Sequence, residues 1–380
     1  MAAVPVVILH TNEGDHLMTT VKAAVCREFG APLSIEDIVL ADPGPGQVMV
    51  DIAACAICFS DISYADGGWG GFLPAVYGHE ASGHISAVGP GVDSYDVGDA
   101  VLVTLLRACG GCASCASGHP ATCETGFDIT SGPIAAADGA AVEQGLRTGA
   151  FAQKAVVDTS QIVKIPADMP MDAASILSCG VITGVGAVVN TAGLRAGQTA
   201  VVIGAGGVGL NAIQGARIAG ASRIVAVDLT PEKLEVAREF GATDGVLATS
   251  DKPWRAVKKL LGGRGADFVF VTVGAIAAFE TATRYLATGG RMVMVGMPHS
   301  GQAASFEPVI VAGAAQGMIG SKMGDVVLSR DIPWMVDLYQ QGRLKLDELV
   351  SGRWSLDQIN EAIADTRAGA ARRNVIVFDE

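Results

Sequence analysis

Four cysteines close together in the sequence constrain the fold of this chain more than any other feature. They stand in the run CGGCASCASGHPATC, with the spacing C-x2-C-x2-C-x7-C. Zinc takes four thiolates in closed tetrahedral structural sites, and cysteines this near to one another can wrap one ion. The spacing therefore predicts a structural zinc lobe, with His119 as a spare ligand inside the loop and four thiolate ligands: Cys109, Cys112, Cys115 and Cys123.

The size and charge of the chain narrow the class of protein. A length of 380 residues, half of them apolar, favours two domains with real cores. The formal charge is −13, with 39 acidic against 26 basic residues, and there is no basic run of five or more. This pattern argues against a nucleic-acid or anionic-membrane partner.

Cysteine usage indicates the compartment. The eight cysteines could form disulfides in a secreted protein, but the chain is long, its cysteines cluster at metal spacing, and its start lacks a basic segment and a cleavage site. We therefore expect reduced thiols and a cytoplasmic protein. Residues 1–17 are interpreted as a disordered tail or as the result of a start codon assigned too far upstream.

One uncharged stretch, Ala173 to Leu194, has the length of a membrane span. Serine, threonine, asparagine and four glycines interrupt it, so we interpret it as buried interior.

The pattern of short apolar runs changes along the chain. Up to about residue 160, β-type runs alternate with Pro-Gly turn pairs, which predicts an antiparallel, barrel-like β region: Val48–Ile52, His84–Val88 and Ala100–Leu105. From about residue 180, apolar strands alternate with helical stretches, which predicts a doubly wound parallel sheet: Ala200–Ile203, Arg223–Val227, Phe268–Val273 and Arg291–Val295. A helix starting at Thr230-Pro231 is expected to end at Gly241, and the last strand-like run, Asn374–Phe378, is expected to return to the first domain.

A glycine-rich loop follows the first of these parallel strands. The pattern Gly204-x-Gly206-x-x-Gly209 opens a helix, and Asp228 ends the next strand 19 residues after the last glycine. Such glycines permit a tight turn, close approach to a pyrophosphate and close helix packing, while the acid accepts from ribose hydroxyls and repels a 2′-phosphate. The sequence predicts an NAD site; the alternatives are a ligand-free glycine turn and a surface acid at Asp228.

A second set of possible zinc ligands lies outside the four-cysteine lobe. Cys58, His79 and Cys179 offer three ligands, and a catalytic zinc needs three so that one position stays open. Cys55 and His84 compete for the same roles, and spacing alone does not choose among them.

Several motifs in order resemble the zinc-dependent medium-chain alcohol dehydrogenases. They are CFSD (58–61), GHE (78–80), the four-cysteine lobe, SCGVITGVGAVVNTA (178–192), GAGGVG (204–209) and Asp228. The match covers nearly the whole chain after Met18. It implies an α/β two-domain fold, with a GroES-like catalytic domain (18–180 and 322–380) and a Rossmann domain (181–321).

The resemblance also implies residue roles. It assigns a catalytic zinc to Cys58, His79 and Cys179, which makes two zinc ions per chain. It makes Ser60 the hydroxyl that touches the substrate oxygen, and it places two acids near the metal, Asp61 behind His79 and Glu80 beside the ion. The implied NAD contacts are Thr183, Gly204, Gly206, Gly207, Val208, Gly209, Asp228, Lys233 and Arg373, with Lys233 at the adenosine end and Arg373 at the pyrophosphate.

The chain departs from relatives at several positions. Phe59 stands where relatives often carry a cation near the pyrophosphate, and Ser63 stands where many carry a relay histidine. The class III branch, which acts on a formaldehyde–glutathione adduct, holds it with an acid and an arginine. Trp69 and Phe127 stand at those positions here, and with Leu105 they suggest an apolar pocket unless all three are ordinary packing residues.

The activity expected from this resemblance is reversible oxidation of an apolar or aromatic alcohol to an aldehyde or ketone, with hydride transfer to NAD. The alternatives are a hydroxymethyl-glutathione dehydrogenase, a polyol dehydrogenase, and a catalytically silent nucleotide-binding protein. The family suggests a homodimer or homotetramer, in which the segment from Arg291 to Ser321 could form the subunit contact.

Overall fold

The computed structural model describes residues 18–126, 132–369 and 371–378, so the predicted tail at residues 1–17 lies outside it. Ten strands precede residue 165: β1 (Thr19–Cys26), β2 (Ser34–Leu40), β3 (Gln47–Ala56), β4 (Ala75–Val76), β5 (Glu80–Val88), β6 (Ala100–Val103), β7 (Ile134–Ala136), β8 (Glu143–Gln144), β9 (Lys154–Asp158) and β10 (Ile162–Lys164). Eight follow: β11 (Thr199–Ile203), β12 (Arg223–Asp228), β13 (Asp244–Leu247), β14 (Ala266–Val271), β15 (Leu286–Met294), β16 (Gly317–Gly320), β17 (Val350–Trp354) and β18 (Arg373–Val377).

Helices connect the strands and cover the sheets. They include Phe59–Ala65, Ala113–Ala116, Gly207–Ile218, Pro231–Glu239, Pro253–Leu260, Ile276–Ala282, Pro308–Gly313, Leu328–Gln340 and Ile359–Ala368. The helix from Pro231 follows Thr230 at its cap, and Gly241 has a φ of 118° just beyond its end, as its sequence predicts.

The first half of the chain forms two sheets. One has the order β7-β2-β1-β4-β8, and the other has the order β10-β6-β5-β3-β18-β17, with β9 also paired to β3. The pairings β1–β2, β3–β5 and β5–β6 are antiparallel, which confirms the predicted antiparallel β region. The inward side chains of both sheets share one apolar core that includes Val50, Ile85 and Phe151.

The second half forms a six-stranded sheet whose order is β13-β12-β11-β14-β15-β16, with every pairing parallel. Numbered from β11, this order is 3-2-1-4-5-6, that of a dinucleotide-binding doubly wound sheet. The predicted alternation of strands and helices is confirmed. In such sheets ligands bind beyond the carboxyl ends of the strands, at the point where the order reverses, which here lies between β11 and β14.

The last strand returns to the first half of the chain. β18 pairs antiparallel with β3, so that Val375 lies opposite Ala56, and it pairs parallel with β17. This pairing brings Arg373, at the start of β18, back to the segment that contains Cys58.

A single helix, Met171–Thr191, links the two halves. It is long and apolar enough to cross a membrane, but 89% of its most apolar window is buried within the fold, which confirms the interpretation as interior. Two α segments alternate with two π segments, Leu177–Val181 and Ala187–Thr191. The proposed boundary between residues 180 and 181 falls inside this helix, and the domain limits stay a prediction.

Candidate active site

Four buried side chains with metal-binding atoms meet between the two halves of the chain. The ligand atoms of Cys58, His79, Glu80 and Cys179 all lie within 4.8 Å of one another. Cys58 caps the helix Phe59–Ala65, His79 and Glu80 stand at the start of β5, and Cys179 lies in a π segment. π turns widen a helix locally and are frequent at functional sites. The geometry therefore brings together the three ligands that the family resemblance assigns.

Asp61 holds two of these residues from behind. Its Oδ1 lies 2.8 Å from His79 Nδ1 and accepts a hydrogen bond from the Gly78 N–H, while its Oδ2 accepts from the Cys58 N–H. His79 Nε2 is buried and has no hydrogen-bond partner among the described residues. A carboxylate on one ring nitrogen and an open second nitrogen is the arrangement of a metal-ligating histidine, so these residues fit a bound zinc.

The charges of this cluster depend strongly on one another. A hydrogen bond with Cys179 lowers the pKa of the Cys58 thiol well below its ordinary value. Burial lowers the pKa of His79, but the carboxylate of Asp61 outweighs burial and leaves that pKa well above its ordinary value. Burial raises the pKa of Glu80 to about 8. A cluster that combines a thiolate with an imidazole whose second nitrogen is open is chemically suited to a cation.

Arg373 fills the space beside this cluster. Its Nη2 lies 3.5 Å from Glu80 Oε1, and both side chains are buried. A Cβ on Gly180 would lie 1.9 Å from Arg373 Nη2, and one on Gly207 would lie 2.7 Å from Nε. The two glycines therefore make room for a guanidinium that reaches from the acid to the first turn of the helix Gly207–Ile218. Burial opposes its charge, but Glu80 keeps the pKa of Arg373 above its ordinary value.

The two competing ligands are placed elsewhere. His84 is exposed on β5, four residues beyond Glu80. Cys55 is buried on β3, its thiol lies 3.9 Å from the Ala56 carbonyl, and burial raises its pKa well above the ordinary value. Neither Cys55 nor His84 belongs to the group of ligand atoms formed by Cys58, His79, Glu80 and Cys179, so the geometry favours the assignment that spacing alone left open.

The four-cysteine lobe forms a second group with ligand atoms within 4.8 Å of one another. Backbone N–H groups point at its sulfurs: Cys115 N and Glu124 N at Cys112, and Cys112 N at Cys109. Hydrogen bonds, above all from the Thr125 hydroxyl, lower the pKa of Cys109 to about 6. His119 lies 2.9 Å from the carboxylate of Asp325 and is not part of this group.

The glycine-rich loop is tied to the strand that follows it. Asp228 Oδ2 accepts a hydrogen bond of 2.7 Å from Ala205 N, and Oδ1 accepts one from Leu229 N. A Cβ on Gly209 would lie 1.8 Å from the Gly204 carbonyl oxygen, whereas one on Gly206 would meet no atom within 4 Å. The loop thus leaves space open at Gly206, at the helix N-terminus where a pyrophosphate binds.

The other predicted cofactor contacts lie on three helical segments. Thr183 is buried four residues after Cys179, and Val208 lies in the first turn of the helix Gly207–Ile218, whose backbone packs against Gly184. Lys233 is partly exposed in the first turn of the helix Pro231–Glu239. Ser60 is half-buried, and Phe59 is exposed.

Sequence reasoning missed Met323. Its Sδ lies 3.7 Å from Cys179 Sγ and 3.6 Å from Thr183 Oγ1. The segment that carries it has three consecutive residues with positive φ: Met323, Gly324 and Asp325. A run of left-handed residues that includes two non-glycines has no simple sequence signature, so nothing in the sequence placed this thioether in the site.

A cavity of about 390 Å³ contains Trp69 and Leu105. The Trp69 Nε1 donates to the Pro298 carbonyl, and its ring meets Tyr64 edge to face at 5.2 Å. The sequence predicts an apolar pocket here, but the cavity is partly polar, because Arg107, Arg147 and Lys322 also line it. Phe127 lies outside the described residues.

Comparison with known proteins identifies the family. The model of the alcohol dehydrogenase GroES-like domain matches residues 44–167, and that of the zinc-binding dehydrogenase domain matches residues 207–341. The class-3 alcohol dehydrogenase of Myxine glutinosa is 35% identical over 368 residues, which cover 93% of this chain and 97% of that protein. The chain belongs to the zinc-dependent medium-chain alcohol dehydrogenase family.

Solved structures of the family support the same fold. An alcohol dehydrogenase zinc-binding domain protein from Burkholderia ambifaria is 35% identical, with a TM-score of 0.91 over 96% of this chain and 100% of that one. Benzyl alcohol dehydrogenase from Acinetobacter calcoaceticus is 32% identical, with a TM-score of 0.89 over 95% and 100%. The predicted GroES-like domain and nucleotide-binding domain are confirmed. This medium-chain alcohol dehydrogenase is therefore a zinc-dependent enzyme that oxidises alcohols with NAD.

Proposed function

We propose that the enzyme oxidises a primary or secondary alcohol with an apolar or aromatic body, held between the Cys58–His79–Cys179 cluster and the cavity at Trp69. The observation that carries this proposal is the cluster itself. Three ligand side chains converge on one point, and Asp61 fixes two of them by hydrogen bonds. Benzyl alcohol dehydrogenase, a relative with the same fold, is named for an aromatic alcohol.

The cluster supports zinc chemistry at an open position. When bound, zinc acts as a Lewis acid that lowers the pKa of the alcohol hydroxyl, and NAD accepts the hydride. Cys58, His79 and Cys179 would hold the ion. Asp61 keeps the His79 ring oriented and leaves Nε2 free, so that this nitrogen could bind the ion. Glu80 balances the charge of the buried Arg373 beside the cluster.

Ser60 would receive the alcohol proton. It lies two residues after Cys58 in the first turn of the helix Phe59–Ala65 and is half-buried. Ser63, one turn later, is also half-buried. Because the hydroxyl of Ser63 does not titrate near pH 7 as a relay histidine does, the proton passed on by Ser60 would leave through water or the cofactor ribose.

The cofactor binds along the Gly204–Gly209 loop, and this site prefers NAD to NADP. The carboxylate of Asp228 stands at the end of β12, where it would accept from the ribose hydroxyls and repel a 2′-phosphate. Arg373 and Lys233 supply positive charge along the cofactor, at the pyrophosphate and at the adenosine end. Thr183 and Val208 contact the nicotinamide.

We further propose that each chain binds two zinc ions. The second ion would occupy the lobe of Cys109, Cys112, Cys115 and Cys123, whose sulfurs already accept backbone hydrogen bonds. A closed set of four thiolates suits a structural ion.

The enzyme is proposed to be a cytoplasmic homodimer or homotetramer. All eight cysteines lie within the described residues and are free thiols, as a reducing compartment requires. β16 is the edge strand of the parallel sheet, and large apolar side chains are exposed on it and in the segment that precedes it in the sequence: Met297, Phe306, Val309, Ile310 and Ile319. An exposed edge with apolar neighbours favours a subunit contact. Size-exclusion chromatography with light scattering would give the number of subunits.

Two other functions are weighed against this one. A hydroxymethyl-glutathione dehydrogenase is favoured by the similarity to class-3 enzymes. This function is disfavoured because Trp69 stands where that branch has an acid that holds the glutathione adduct. A catalytically silent protein would not need three convergent ligands beside Ser60.

The test is NADH formation by the zinc-loaded protein with aliphatic, aromatic and polyol alcohols and with hydroxymethyl-glutathione. We expect the apolar or aromatic alcohols to lead. Cys58→Ser should abolish turnover and keep the fold. Cys55→Ser is the matched control, and it should keep both turnover and the fold. Full activity of a Cys58→Ser protein with its zinc content verified would refute the ligand assignment.

A further inference from the structure

Met323 lies against a proposed metal ligand and a proposed cofactor contact. Its Sδ is 3.7 Å from Cys179 Sγ and 3.6 Å from Thr183 Oγ1, and the side chain is partly buried. The thioether thus contacts two side chains that stand four residues apart on the helix Met171–Thr191. Because methionine is unbranched and flexible, its own rotamers do not fix this position. A movement of Met323 would change the surroundings of both neighbours.

The backbone at Met323 needs outside contacts to keep its shape. Met323, Gly324 and Asp325 have φ values of 49°, 67° and 49°, in the left-handed region that residues other than glycine rarely adopt. Such backbone persists only where the surrounding structure holds it. The turn Met323–Asp325 is therefore kept in place by its neighbours.

The helix Met171–Thr191 holds the middle of this turn. A Cβ on Gly324 would lie 2.3 Å from the Ile182 carbonyl oxygen, and one on Gly186 would lie 2.5 Å from the Gly324 carbonyl oxygen. Asn190 Nδ2 donates to the same carbonyl at 3.3 Å. These contacts fix the middle of the turn to the helix, and none of them involves its last residue.

The four-cysteine lobe holds the last residue of the turn. Both carboxylate oxygens of Asp325 lie 2.9 Å from His119 Nδ1, a contact across 206 positions of the chain. His119 stands in the lobe between Cys115 and Cys123, just before the short 3-10 helix Pro120–Thr122, which its side chain does not cap. Within the described residues, the hydrogen bonds of this side chain go to Asp325 alone, so it joins the lobe to the turn.

We propose that His119 and Asp325 are positioning residues that hold Met323 in the active site. They thereby couple the four-cysteine lobe to the nicotinamide end of the cofactor site, where Met323 supports Cys179 and Thr183. The inference rests on the proposed function, because it takes Thr183 as a contact of the nicotinamide. It gives the lobe a part in cofactor binding besides a structural one.

The experiment measures the binding of NAD and of ADP-ribose, which lacks the nicotinamide, to the zinc-loaded His119→Ala protein. This substitution removes the contact with Asp325 and no helix cap, so the lobe should keep its fold and its zinc. The two side chains are 54% and 26% exposed, so the pair contributes moderately. We expect the Kd for NAD to rise about threefold to tenfold, and that for ADP-ribose to stay within about twofold.

Ser114→Ala is the matched control in the same lobe. It removes a hydrogen bond of 2.6 Å between Ser114 and Glu124 and leaves the His119–Asp325 pair in place. Alanine also suits the short helix Ala113–Ala116 that carries this residue. Both Kd values and the zinc content of Ser114→Ala should equal those of the parent protein.

A double-mutant cycle tests whether His119 acts through Met323. Met323→Ala should raise the Kd for NAD at least as much as His119→Ala does, because it removes the side chain that supports Thr183. In the Met323→Ala background, His119→Ala should add less than about a twofold rise, since the side chain that it positions is gone.

Three results would overturn the inference. Unchanged NAD binding in His119→Ala would show that the helix contacts of Gly324 hold the turn by themselves. Equal rises in the Kd for NAD and for ADP-ribose would point to a general effect on the fold. Fully additive effects of His119→Ala and Met323→Ala would show that His119 does not act through Met323. All three leave the proposed function standing, because that function is tested by alcohol turnover of the parent protein.

Discussion

Asp61 and His79 form a buried pair in which the carboxylate Oδ1 lies 2.8 Å from the imidazole Nδ1. The same carboxylate accepts from the backbone N–H of Cys58, so one side chain orients two proposed metal ligands that lie 21 residues apart in the sequence. We expect Asp61→Asn to weaken zinc binding at the catalytic position about tenfold to a hundredfold.

Competition of the Asp61→Asn protein with a chelator would measure this loss. The control is Asp51→Asn, which changes a half-exposed acid on β3 whose partner is Lys154. Unchanged zinc affinity in Asp61→Asn would mean that the backbone alone fixes the ligands.

Two glycines of the nucleotide loop should respond differently to the same methyl group. Gly209→Ala would press a Cβ against the Gly204 carbonyl at 1.8 Å, so we expect a loss of about 3 kcal/mol in the free energy of unfolding. Gly206→Ala meets no protein atom, so stability should hold while the Kd for NAD rises about tenfold or more.

Thermal unfolding and NAD titration of the Gly206 and Gly209 variants separate these two effects. If Gly206→Ala bound NAD as tightly as the parent protein, the pyrophosphate would not lie against this glycine.

Asp228 should set the choice between NAD and NADP. Asp228→Asn keeps an oxygen that can accept from the Ala205 N–H, so the loop should stay folded, but it removes the charge that repels a 2′-phosphate. We expect the preference for NAD over NADP to fall about tenfold, the effect of one charged hydrogen bond. Steady-state kinetics with both cofactors measure it.

Asp267→Asn is the matched control for Asp228→Asn. Asp267 likewise accepts from a backbone N–H of the parallel sheet, that of Thr199, but at the other end of β11. A change of cofactor preference in Asp267→Asn as large as that in Asp228→Asn would point to a general effect on the sheet.

The four-cysteine lobe should hold one zinc independently of the catalytic one. Cys112 Sγ accepts backbone hydrogen bonds from Cys115 and Glu124, so Cys112→Ser should lose the lobe ion and part of the stability. Elemental analysis should fall from two zinc ions to one per chain. Retention of two ions would show that another side chain, with His119 as the nearest in sequence, replaces the lost thiolate.

Sequence reasoning predicted the fold well where local pattern and chemistry agree. The strand at Ala200–Ile203, the glycine loop and the acid at its partner strand fix the parallel sheet, because this arrangement has a single common solution. The lobe of four cysteines could be predicted from their short spacing alone. Residues 58, 79 and 179 could not be selected from their spacing, because they lie far apart in the sequence and come together only through the tertiary fold. Only the family resemblance identified them as a set.

The cations that line the cavity at Trp69 and the position of Met323 could not be predicted from the sequence, for a physical reason. Arg147 and Met323 both stand in left-handed backbone, which non-glycine residues enter only when distant contacts hold them. For Arg147 the contact comes from Gln161, and the segment of Met323 is held by the His119–Asp325 ion pair across 206 positions. No local pattern reports such contacts. Trp69 and Leu105, which the sequence predicts to form an apolar pocket, line one cavity, but the cations of its lining were missed, and its role as the substrate pocket stays a prediction.

The pairing of β18 with β3 has a consequence for biosynthesis. Residues 47–56 leave the ribosome more than three hundred positions before their neighbour at 373–377. Until residues 373–377 emerge, Glu80 lacks its guanidinium partner and Ala54–Ala56 lack their strand neighbour on that side. The catalytic centre can therefore be completed only after these residues have been synthesised, and a polypeptide truncated before Arg373 would keep both proposed zinc-binding motifs but have an unfinished reaction site.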